Sequence, residues 1–344
     1  MVQRNYPLYI GLLLTFGFIL VAIFGPSLAP HDPLQRFSDA IFIEDEVYIP
    51  SVQPLPPVTL EMFPLGTDNA GRDLLSRLLW AIRPTLLLAL VIVLVRVVVG
   101  LSLGLAAGWY RGVVERLVDV LISTSLSVPI LLFALAIILF IGERTLFTFM
   151  IALTATGWAS TAVFVKNRTL VTIQAPYIEG ARAIGVRPGG ILSRYILPQL
   201  WPALPALIAF ELGTAILVVA ELGFLGMFIG DAFVLMAADP GGTGTIPVGL
   251  TADLAELGQM LSDFWSKMIR SPWEIVVVGL TIFLLIFAFN MLGEGLRRQM
   301  DVTRRRVSWR NWLQSALPAP ERSTAPLTRQ IVPGREPGAP AVPE

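Results

Sequence analysis

The sequence predicts an all-α integral membrane protein with six transmembrane helices. The prediction rests on the composition, on the length of the apolar runs, and on the distribution of arginines between the segments that connect these runs. Of the 344 residues, 55% are hydrophobic and only 15% are charged, whereas a soluble domain carries about 25% charged residues. The mean hydropathy is +0.71. Lipid is therefore the expected solvent for most of the chain.

Each predicted span is an apolar run close to the roughly 20 residues that cross a bilayer as a helix. The six runs cover residues 9–28, 86–107, 117–141, 146–165, 200–222 and 275–292. Hydroxyl residues dilute the fourth run, and prolines and Glu211 interrupt the fifth, which a bundle tolerates where helices touch each other. The first run can also be interpreted as a signal peptide, but its full-span length and the lack of a clear cleavage site favour a retained helix.

The basic residues predict the orientation, because cytoplasmic loops of membrane proteins are enriched in Lys and Arg. With the N-terminus and C-terminus both inside, the cytoplasmic segments hold Arg4, Arg111, Arg116, Lys166, Arg168, Arg182, Arg187, Arg194, Arg297, Arg298, Arg304, Arg305, Arg306 and Arg310. The outer segments are acid-rich by contrast, most clearly between residue 30 and Gly66. The expected arrangement is N-in and C-in.

The expected organisation has four parts. Residues 1–30 hold an N-terminal segment and the first span, and residues 31–84 form an extracytoplasmic loop with an interfacial helix. Residues 85–300 form the transmembrane core, which includes a cytoplasmic loop at 176–198 and a long outer loop at 223–274. Seven prolines in the last thirty residues prevent a regular helix, so the tail at 301–344 is expected to be disordered.

The composition excludes several kinds of site. There is no cysteine, so disulfides, thiolate zinc sites and cysteine nucleophiles are excluded. The single histidine, His31, is expected to be a solvated loop residue, and one imidazole does not make a metal cluster. The glycine-rich stretch 240–245 lacks the Gly-Lys-Ser/Thr ending of a phosphate loop and is expected to be a flexible outer loop. No cofactor is expected in this chain, and no nucleic acid is expected as a partner.

The cytoplasmic segment 176–198 predicts two short helices joined by a turn. Pro176 and Glu179 suit the first turn of a helix, and Gly185 suits the left-handed residue that ends it. A second helix is expected from Pro188 and is expected to end at Pro198. The result would be a compact knob at the membrane face, with small residues for close approach and arginines for acidic partners: Gly180, Ala181, Ala183, Arg182 and Arg187.

The same segment resembles the EAA loop of ABC-importer permeases. The matching residues are Glu179-Gly180-Ala181, Gly185 and Leu197-Pro198. Its Ile-Leu-Pro ending is similar to that of the dipeptide/oligopeptide branch of the family. Gly180 in the second position and Tyr195 are departures from the usual pattern.

Two further motifs resemble the C-type subunits of that branch. One is the stretch 64–77 before the second span, in which Thr67 or Asp68 is expected to cap an interfacial helix. Asp73 and Arg77 are expected to pair on the exposed face of that helix. The other motif is a Pro-Trp entry at Trp273 before the sixth span, with an Asn-x-x-Gly-Glu-x-x-Arg exit at 290–297.

The resemblance implies the type I ABC-importer permease fold and a subunit that is not itself an enzyme. It implies a second, related permease subunit, two cytoplasmic ATPase subunits that hold ATP and Mg²⁺, and an extracytoplasmic substrate-binding protein. In the knob, Glu179 would anchor or orient the loop, Gly185 would set its turn, and Arg182 and Arg187 would contact the partner. The expected location is a bacterial or archaeal cytoplasmic membrane.

The class of substrate and two rival functions stay open at this point. Peptides are the leading substrate of the family, but similar permeases carry nickel chelates and oligosaccharides. An ion-coupled secondary transporter would need intramembrane carboxylates, and the sequence offers Glu211 and Glu221. A membrane-embedded enzyme would need a nucleophile with a base, or a metal cluster, and neither is present as a motif.

A charge in the middle of the second span also requires an explanation. Arg96 is expensive in lipid and must be paired or face water. Glu211 on the fifth span is its natural partner, so we expect an Arg96–Glu211 contact or a polar lining of the translocation path. On the same span, Gly100, Gly104 and Gly108 form a small-xxx-small series that predicts close helix packing.

Overall fold

The computed structural model describes residues 5–43, 46–230, 233–238, 245–251 and 254–300. The helices in these ranges are α1 (Tyr6–Leu28), α2 (Leu74–Trp109), α3 (Val113–Ser127), α4 (Ile130–Ile141), α5 (Leu146–Ile173), α6 (Pro176–Ala183), α7 (Pro188–Ile191), α8 (Leu197–Leu200), α9 (Leu204–Phe224), α10 (Leu257–Leu261), α11 (Phe264–Arg270) and α12 (Pro272–Met300). Two antiparallel hairpins pair β1 (Ile41–Ile43) with β2 (Glu46–Tyr48), and β3 (Phe233–Ala238) with β4 (Thr245–Thr251). Residues 240–244 of the predicted loop at 240–245 and the whole of the predicted tail at 301–344 lie outside the described residues.

Five helical stretches are long and apolar enough to cross a membrane. They are Tyr6–Leu28, Leu74–Trp109, Leu146–Ile173, Pro188–Phe224 and Pro272–Met300. The bent pair α3 and α4 makes a sixth span if it is counted as one. The described residues thus form a helical membrane protein with five or six spans, in agreement with the six apolar runs of the sequence.

The third predicted span is not one straight helix. Its two halves, α3 and α4, meet at an angle of 92°. Val128, between them, has an extended backbone, and Pro129 starts the second half. Proline disfavours a helical conformation in the residue before it and has no N–H for the preceding turn. The apolar run is continuous in sequence, but the proline divides it into two helices.

The prediction of a separate interfacial helix is also wrong. The residues expected to form it are the first turns of α2, a single helix of 36 residues. Asp73, rather than Thr67 or Asp68, is the N-cap, and its carboxylate accepts a hydrogen bond from the backbone N–H of Ser76 at 3.1 Å. Arg77 pairs with Asp68 at 3.2 Å instead of with Asp73.

The predicted glycine series packs α2 against α5. A Cβ added at Gly100 or Gly108 would lie 2.6–2.7 Å from the side chains of Thr161 and Thr169 on α5, and one at Gly104 would lie 2.6 Å from a backbone carbonyl of α5. These distances leave no room for a side chain, which confirms the packing role of the series. The tight α2–α5 pair forms the centre against which α9 packs.

A buried ionic network closes the outer side of the fold. Asp68 pairs with Arg72 at 2.7 Å and with Arg77 at 3.2 Å, and all three side chains are buried. Burial alone would raise the pKa of Asp68, but the two guanidinium groups outweigh it and lower that pKa to about 2. Arg77 also donates to the side-chain oxygen of Gln259 at 2.6 Å, so the network reaches α10.

The same network joins two of the motifs recognised in the sequence. The Trp273 indole at the start of α12 donates to the backbone oxygen of Thr67 at 3.0 Å. The backbone N–H of Asn69 donates to Glu274 at 3.0 Å, and Glu274 also pairs with Lys267 at 2.8 Å. The 64–77 motif and the Pro-Trp entry of the last span are therefore one structural unit.

His31 is not the solvated loop residue that the sequence predicted. Its ring packs against Phe37 and Phe63, with centroids 5.1 and 5.5 Å away. Its Nδ1 lies 3.3 Å from a carboxylate oxygen of Asp73, the N-cap of α2. The residue packs against the start of α2 because Asp73 offers an acceptor and the two phenylalanines offer an apolar wall.

Candidate functional site

The cytoplasmic knob, residues 176–198, begins with the short helix α6. Ala175 precedes it with an extended backbone, and Pro176 occupies its first turn, where the missing N–H of proline removes no helical bond. Glu179 lies in the first turn and Arg182 in the last turn, which are the ends that the helix dipole favours for an acid and a base.

Gly185 ends α6 with a left-handed residue, as the sequence predicted. Its φ is +80°, a region in which a side chain is strained. Its N–H donates to the carbonyl of Arg182 at 3.0 Å, and that of Val186 donates to the carbonyl of Ala181 at 3.0 Å. This pair of bonds is the Schellman arrangement, which satisfies the last carbonyls of a helix. A Cβ at Gly185 would meet nothing within 4 Å, so only the backbone conformation selects glycine there.

The knob has a small apolar core of its own. Four buried isoleucines form it, with Trp109 at the end of α2 packed against them: Ile173, Ile178, Ile191 and Ile196. Ala181 is buried on this inner side, so it does not offer the close approach to a partner that the sequence suggested. Glu179, Gly180, Arg182 and Arg187 remain exposed. The outer face of the knob is thus polar and charged.

The second helix of the knob does not end at Pro198, contrary to the prediction. After α7, a wide π-helical turn spans Leu192–Ile196. Leu197 there donates its N–H to the carbonyl of Leu192, five residues back. A proline cannot donate and its ring collides with the preceding turn of an α-helix; the wider turn makes room for it. Leu197 and Pro198 therefore lie inside a continuous helical stretch, Pro188–Phe224, that leads into the fifth span.

Side chains tie the two halves of the knob to the end of α5. Tyr195, a departure from the family pattern, stacks on Tyr177 with ring centroids 6.4 Å apart. The Gln199 amide donates to the hydroxyl of Tyr177, and its oxygen accepts from Thr172 at 3.1 Å. The knob is consequently fastened to α5 as well as continuous with α9.

A cavity of about 460 Å³ opens between the knob and the end of α2. Its lining residues are Trp109, Arg111, Ile173, Gln174, Glu179 and Arg182. Two arginines, a glutamate and a glutamine give it the means to hold a partner side chain by charge-assisted hydrogen bonds. Of the predicted coupling residues, the cavity brings together Glu179 and Arg182, whereas Arg187, Leu197 and Pro198 do not line it.

The intramembrane ion pair is the second candidate site. Arg96 on α2 is completely buried, and its guanidinium lies 3.4 Å from the carboxylate of Glu211 on α9. It also donates to the backbone oxygen of Leu153 at 2.8 Å and lies 3.4 Å from the hydroxyl of Thr156, both on α5. The hydroxyl of Ser160 donates to the other oxygen of Glu211 at 2.6 Å. Arg96 therefore joins α2, α5 and α9 at one point.

Gly157 makes this junction possible, and sequence reasoning missed it. A Cβ there would collide with the guanidinium of Arg96. The sequence held a signal, because Thr156, Gly157 and Ser160 place hydroxyls around a small residue on the span facing Arg96. Since Arg96 is 0% exposed and Glu211 is 8% exposed, the pair lies between helices, and only the edge at Ser160 reaches the surface of this chain.

The polar cytoplasmic half of α3 is also paired with α5. Lys166 on α5 lies 2.6 Å from Asp119 and 3.1 Å from Glu115 on α3. Ser123 and Thr124 on the same helix remain exposed. Asp119 therefore has its cation within the chain.

The chain matches a known protein family and several named proteins. Residues 100–306 match the family described as "Binding-protein-dependent transport system inner membrane component". The chain is 30% identical to the di/tripeptide transport system permease protein DppC of Pseudomonas aeruginosa over 85% of this chain and 86% of that protein. It is 33% identical to the dipeptide transport system permease protein DppC of Escherichia coli K12 over 87% and 90%, respectively.

The chain is also similar to a permease named for another substrate and to a solved structure of lower sequence identity. The glutathione transport system permease protein GsiD of Pectobacterium atrosepticum is 32% identical over 69% of this chain and 71% of that protein. A solved structure of the MetNI methionine ABC transporter in an inward-facing conformation has a TM-score of 0.48 and 20% identity, covering 65% of this chain and 95% of that chain. On the match to the family and to the two DppC proteins, the chain belongs to the binding-protein-dependent transport system inner membrane components, as a permease of the dipeptide branch.

Proposed function

We propose that this chain is the C-type permease subunit of an ATP-driven importer of short peptides, and that a separate ATPase subunit pushes on the knob at 176–198. The observation that carries the proposal is the knob itself, in which the charged, glycine-terminated helix α6 is followed, after a short turn, by a helical stretch that continues into a membrane span. Glu179 and Arg182 would bind the ATPase at the adjacent cavity, and Arg187 would add a contact on the exposed side.

The fold offers a route from the knob to the membrane. Because the helical stretch Pro188–Phe224 has no loop after the knob, a displacement of α6 and α7 moves α9 directly. Arg96 links α9 to α2 and α5, so these helices would move as one body. Closure of the ATPase subunits would then shift the protein between outward-open and inward-open states, a population shift biased by nucleotide on one side and by the loaded binding protein on the other.

The proposal includes partner subunits. The sequence lacks the Gly-Lys-Ser/Thr ending of a phosphate loop, which supports the proposal that two cytoplasmic ATPase subunits hold ATP and Mg²⁺. A second, related permease subunit would complete the path. An extracytoplasmic binding protein would deliver the substrate to the outer face, where the Asp68 network holds the loops in place.

Di- and tripeptides are the proposed substrate class. The two DppC relatives, which this chain matches over most of its length, are named as di/tripeptide and dipeptide permeases, and this supports the class. Another relative is named as a permease for glutathione, a peptide-like molecule. Nickel chelates and oligosaccharides are the competing outcomes of a binding test.

Co-purification tests the proposal. A tagged chain, extracted gently from its own cells, should bring down an ATPase and a second permease subunit in a stable complex. The accompanying binding protein should be saturated by dipeptides and not by nickel chelates or oligosaccharides. If the chain never brings down an ATPase, the proposal is contradicted. A binding protein specific for another ligand would contradict only the proposed substrate class.

A further inference from the structure

A groove between α1 and α2 is not used by any step described so far. It has a volume of about 420 Å³ and is lined almost entirely by apolar side chains, with one cation: Ile19, Ala22, Ile23, Leu86, Leu87, Leu90 and Arg83. Several of the apolar residues are exposed, including Ile23 at 58% and Leu87 at 54%. The groove opens on the surface of the helical bundle at membrane depth.

Arg83 differs from three other arginines on α2 or just before it. Arg72, Arg77 and Arg96 each have a carboxylate partner. Arg83 is exposed, and within the described ranges 5–43, 46–230, 233–238, 245–251 and 254–300 no hydrogen bond or ion pair involves its side chain. An unpaired guanidinium next to an apolar groove has charge available for an anion from outside the chain.

The depth of Arg83 can be read from the packing of the two helices. Gly25 of α1 touches the backbone of Leu79 on α2, since a Cβ there would lie 2.6 Å from the Leu79 carbonyl. At 1.5 Å per residue, Arg83 lies roughly 10 Å below the outer end of α1. Side chains lean toward the N-terminus of their helix, which for α2 is the outer side. The guanidinium therefore extends toward the headgroups.

The groove is too short to seat a second transmembrane helix. Its lining runs from Ile19 to Ile23 on α1 and from Arg83 to Leu90 on α2, which is about 6 Å and about 10 Å of helix, respectively. A helix that crosses the bilayer needs about 30 Å of contact surface. A flexible hydrocarbon chain fits a short apolar groove that has one cation above it.

We propose that this groove binds an anionic phospholipid of the outer leaflet, with one acyl chain between α1 and α2 and the phosphate on Arg83. The guanidinium donates charge-assisted hydrogen bonds to the phosphate oxygens. No acidic residue in the described part of the chain lines the groove, so no described side chain there attracts the ammonium of a zwitterionic headgroup, and a net negative lipid is preferred. The site would fill the gap between the first span and the transmembrane core.

Native mass spectrometry of the full chain, purified with the subunits that accompany it, tests this site. Titration with phosphatidylglycerol should show one tightly retained lipid, and phosphatidylcholine should bind at least tenfold more weakly. Arg83→Gln should lower phosphatidylglycerol binding about tenfold, the equivalent of about 1.4 kcal/mol. Ala22→Phe, which fills the groove and leaves Arg83 in place, should lower it as well.

Arg116→Gln is the matched control, because Arg116 is exposed at the other face of the membrane and does not line the groove. It should leave the retained lipid in place. Equal binding of phosphatidylcholine, or undiminished binding to Arg83→Gln, would overturn the proposal. So would a cross-link from Leu87→Cys to the second permease subunit, since it would make the groove a subunit contact; the chain has no native cysteine to interfere.

Discussion

Gly185 is the residue on which the shape of the knob depends. Its positive φ and the two hydrogen bonds around it turn the chain from α6 toward α7. Because no atom lies within 4 Å of a Cβ at this position, a substitution there tests backbone strain without a steric collision. Strain of this kind costs on the order of 1–3 kcal/mol.

Replacement of this glycine should uncouple the transporter. In proteoliposomes that contain the assembled complex, Gly185→Val should lower the number of peptides transported per ATP hydrolysed by about tenfold while all spans remain inserted. Gly180→Ala is the control, since Gly180 is helical, has open space around it and should become slightly more helix-stable as alanine. Normal coupling in Gly185→Val would count against the knob as the coupling element.

The Arg96–Glu211 pair should be energetically coupled. Removal of one partner of a buried pair typically costs 3–5 kcal/mol, because the other charge stays buried alone. Arg96→Gln and Glu211→Gln should each lower the thermal stability of the purified protein strongly, and the double variant should lose much less than their sum.

Glu221 provides the comparison for this cycle, since it lies on the same helix as Glu211 and has no contact with Arg96 among the described residues. The combination of Arg96→Gln with Glu221→Gln should be additive within about 0.5 kcal/mol. An additive result for Arg96 with Glu211 would show that the two side chains do not act together.

At the scale of elements, α10 introduces a buried acid into the outer side of the fold. Glu256, the N-cap of α10, is only 1% exposed, and burial raises its pKa to about 7, against a smaller opposing effect of the Ile229 backbone N–H. One of its carboxylate oxygens has no partner within the described part of the chain. The folded protein therefore holds this proton more tightly than the unfolded chain does.

The stability of the protein should consequently depend on pH through Glu256. A raised folded-state pKa contributes stability that is fully present below about 4.5 and is lost as the pH rises to about 7, by at most ~1.4 kcal/mol per pH unit. The melting temperature should fall across this window and level off above it. Glu256→Gln should flatten the profile, whereas Glu61→Gln, at an exposed loop position, should preserve it. A profile unchanged in Glu256→Gln would refute this assignment.

Element lengths show what the sequence was able to predict. The apolar runs located every span because hydrocarbon thickness sets a minimum run length. The apolar runs did not locate the helix ends. The first turns of α2 carry Arg77 and Arg83, which suggests an interfacial position. Arg77 is nevertheless buried, because it pairs with Asp68, a residue outside the helix. Long-range partners of this kind cannot be read from local patterns.

Two prolines affect the helices in different ways. Pro129 is followed by a new helix at a sharp angle, which the continuous apolar run did not indicate, although a proline is a common cause of a kink. Pro198 was expected to end a helix, but the π-helical turn before it absorbs the missing hydrogen bond. The local chemistry was the same at both prolines, but Gln199, directly after Pro198, also contacts Thr172 on α5 and Tyr177 on α6.

At the scale of the whole molecule, the described residues form a permease body whose cytoplasmic end is a charged knob. The motif residues of the knob could be named from the sequence because their spacing is specific. The structure was needed to show that Ala181 lies on the inner side of the knob and that Glu179 and Arg182 lie on its outer side. The spacing of the motif does not indicate which of its residues are buried.

The central claim is that an ATPase subunit contacts the outer face of this knob. Site-directed cross-linking tests it most directly, since the chain has no native cysteine. In the assembled transporter, Arg182→Cys should cross-link to the ATPase, and the yield should change between the nucleotide-free and ATP-bound states. Arg116→Cys, exposed on α3 outside the knob, should give no such product. Efficient cross-linking at Arg116 and none at Arg182 would contradict the account.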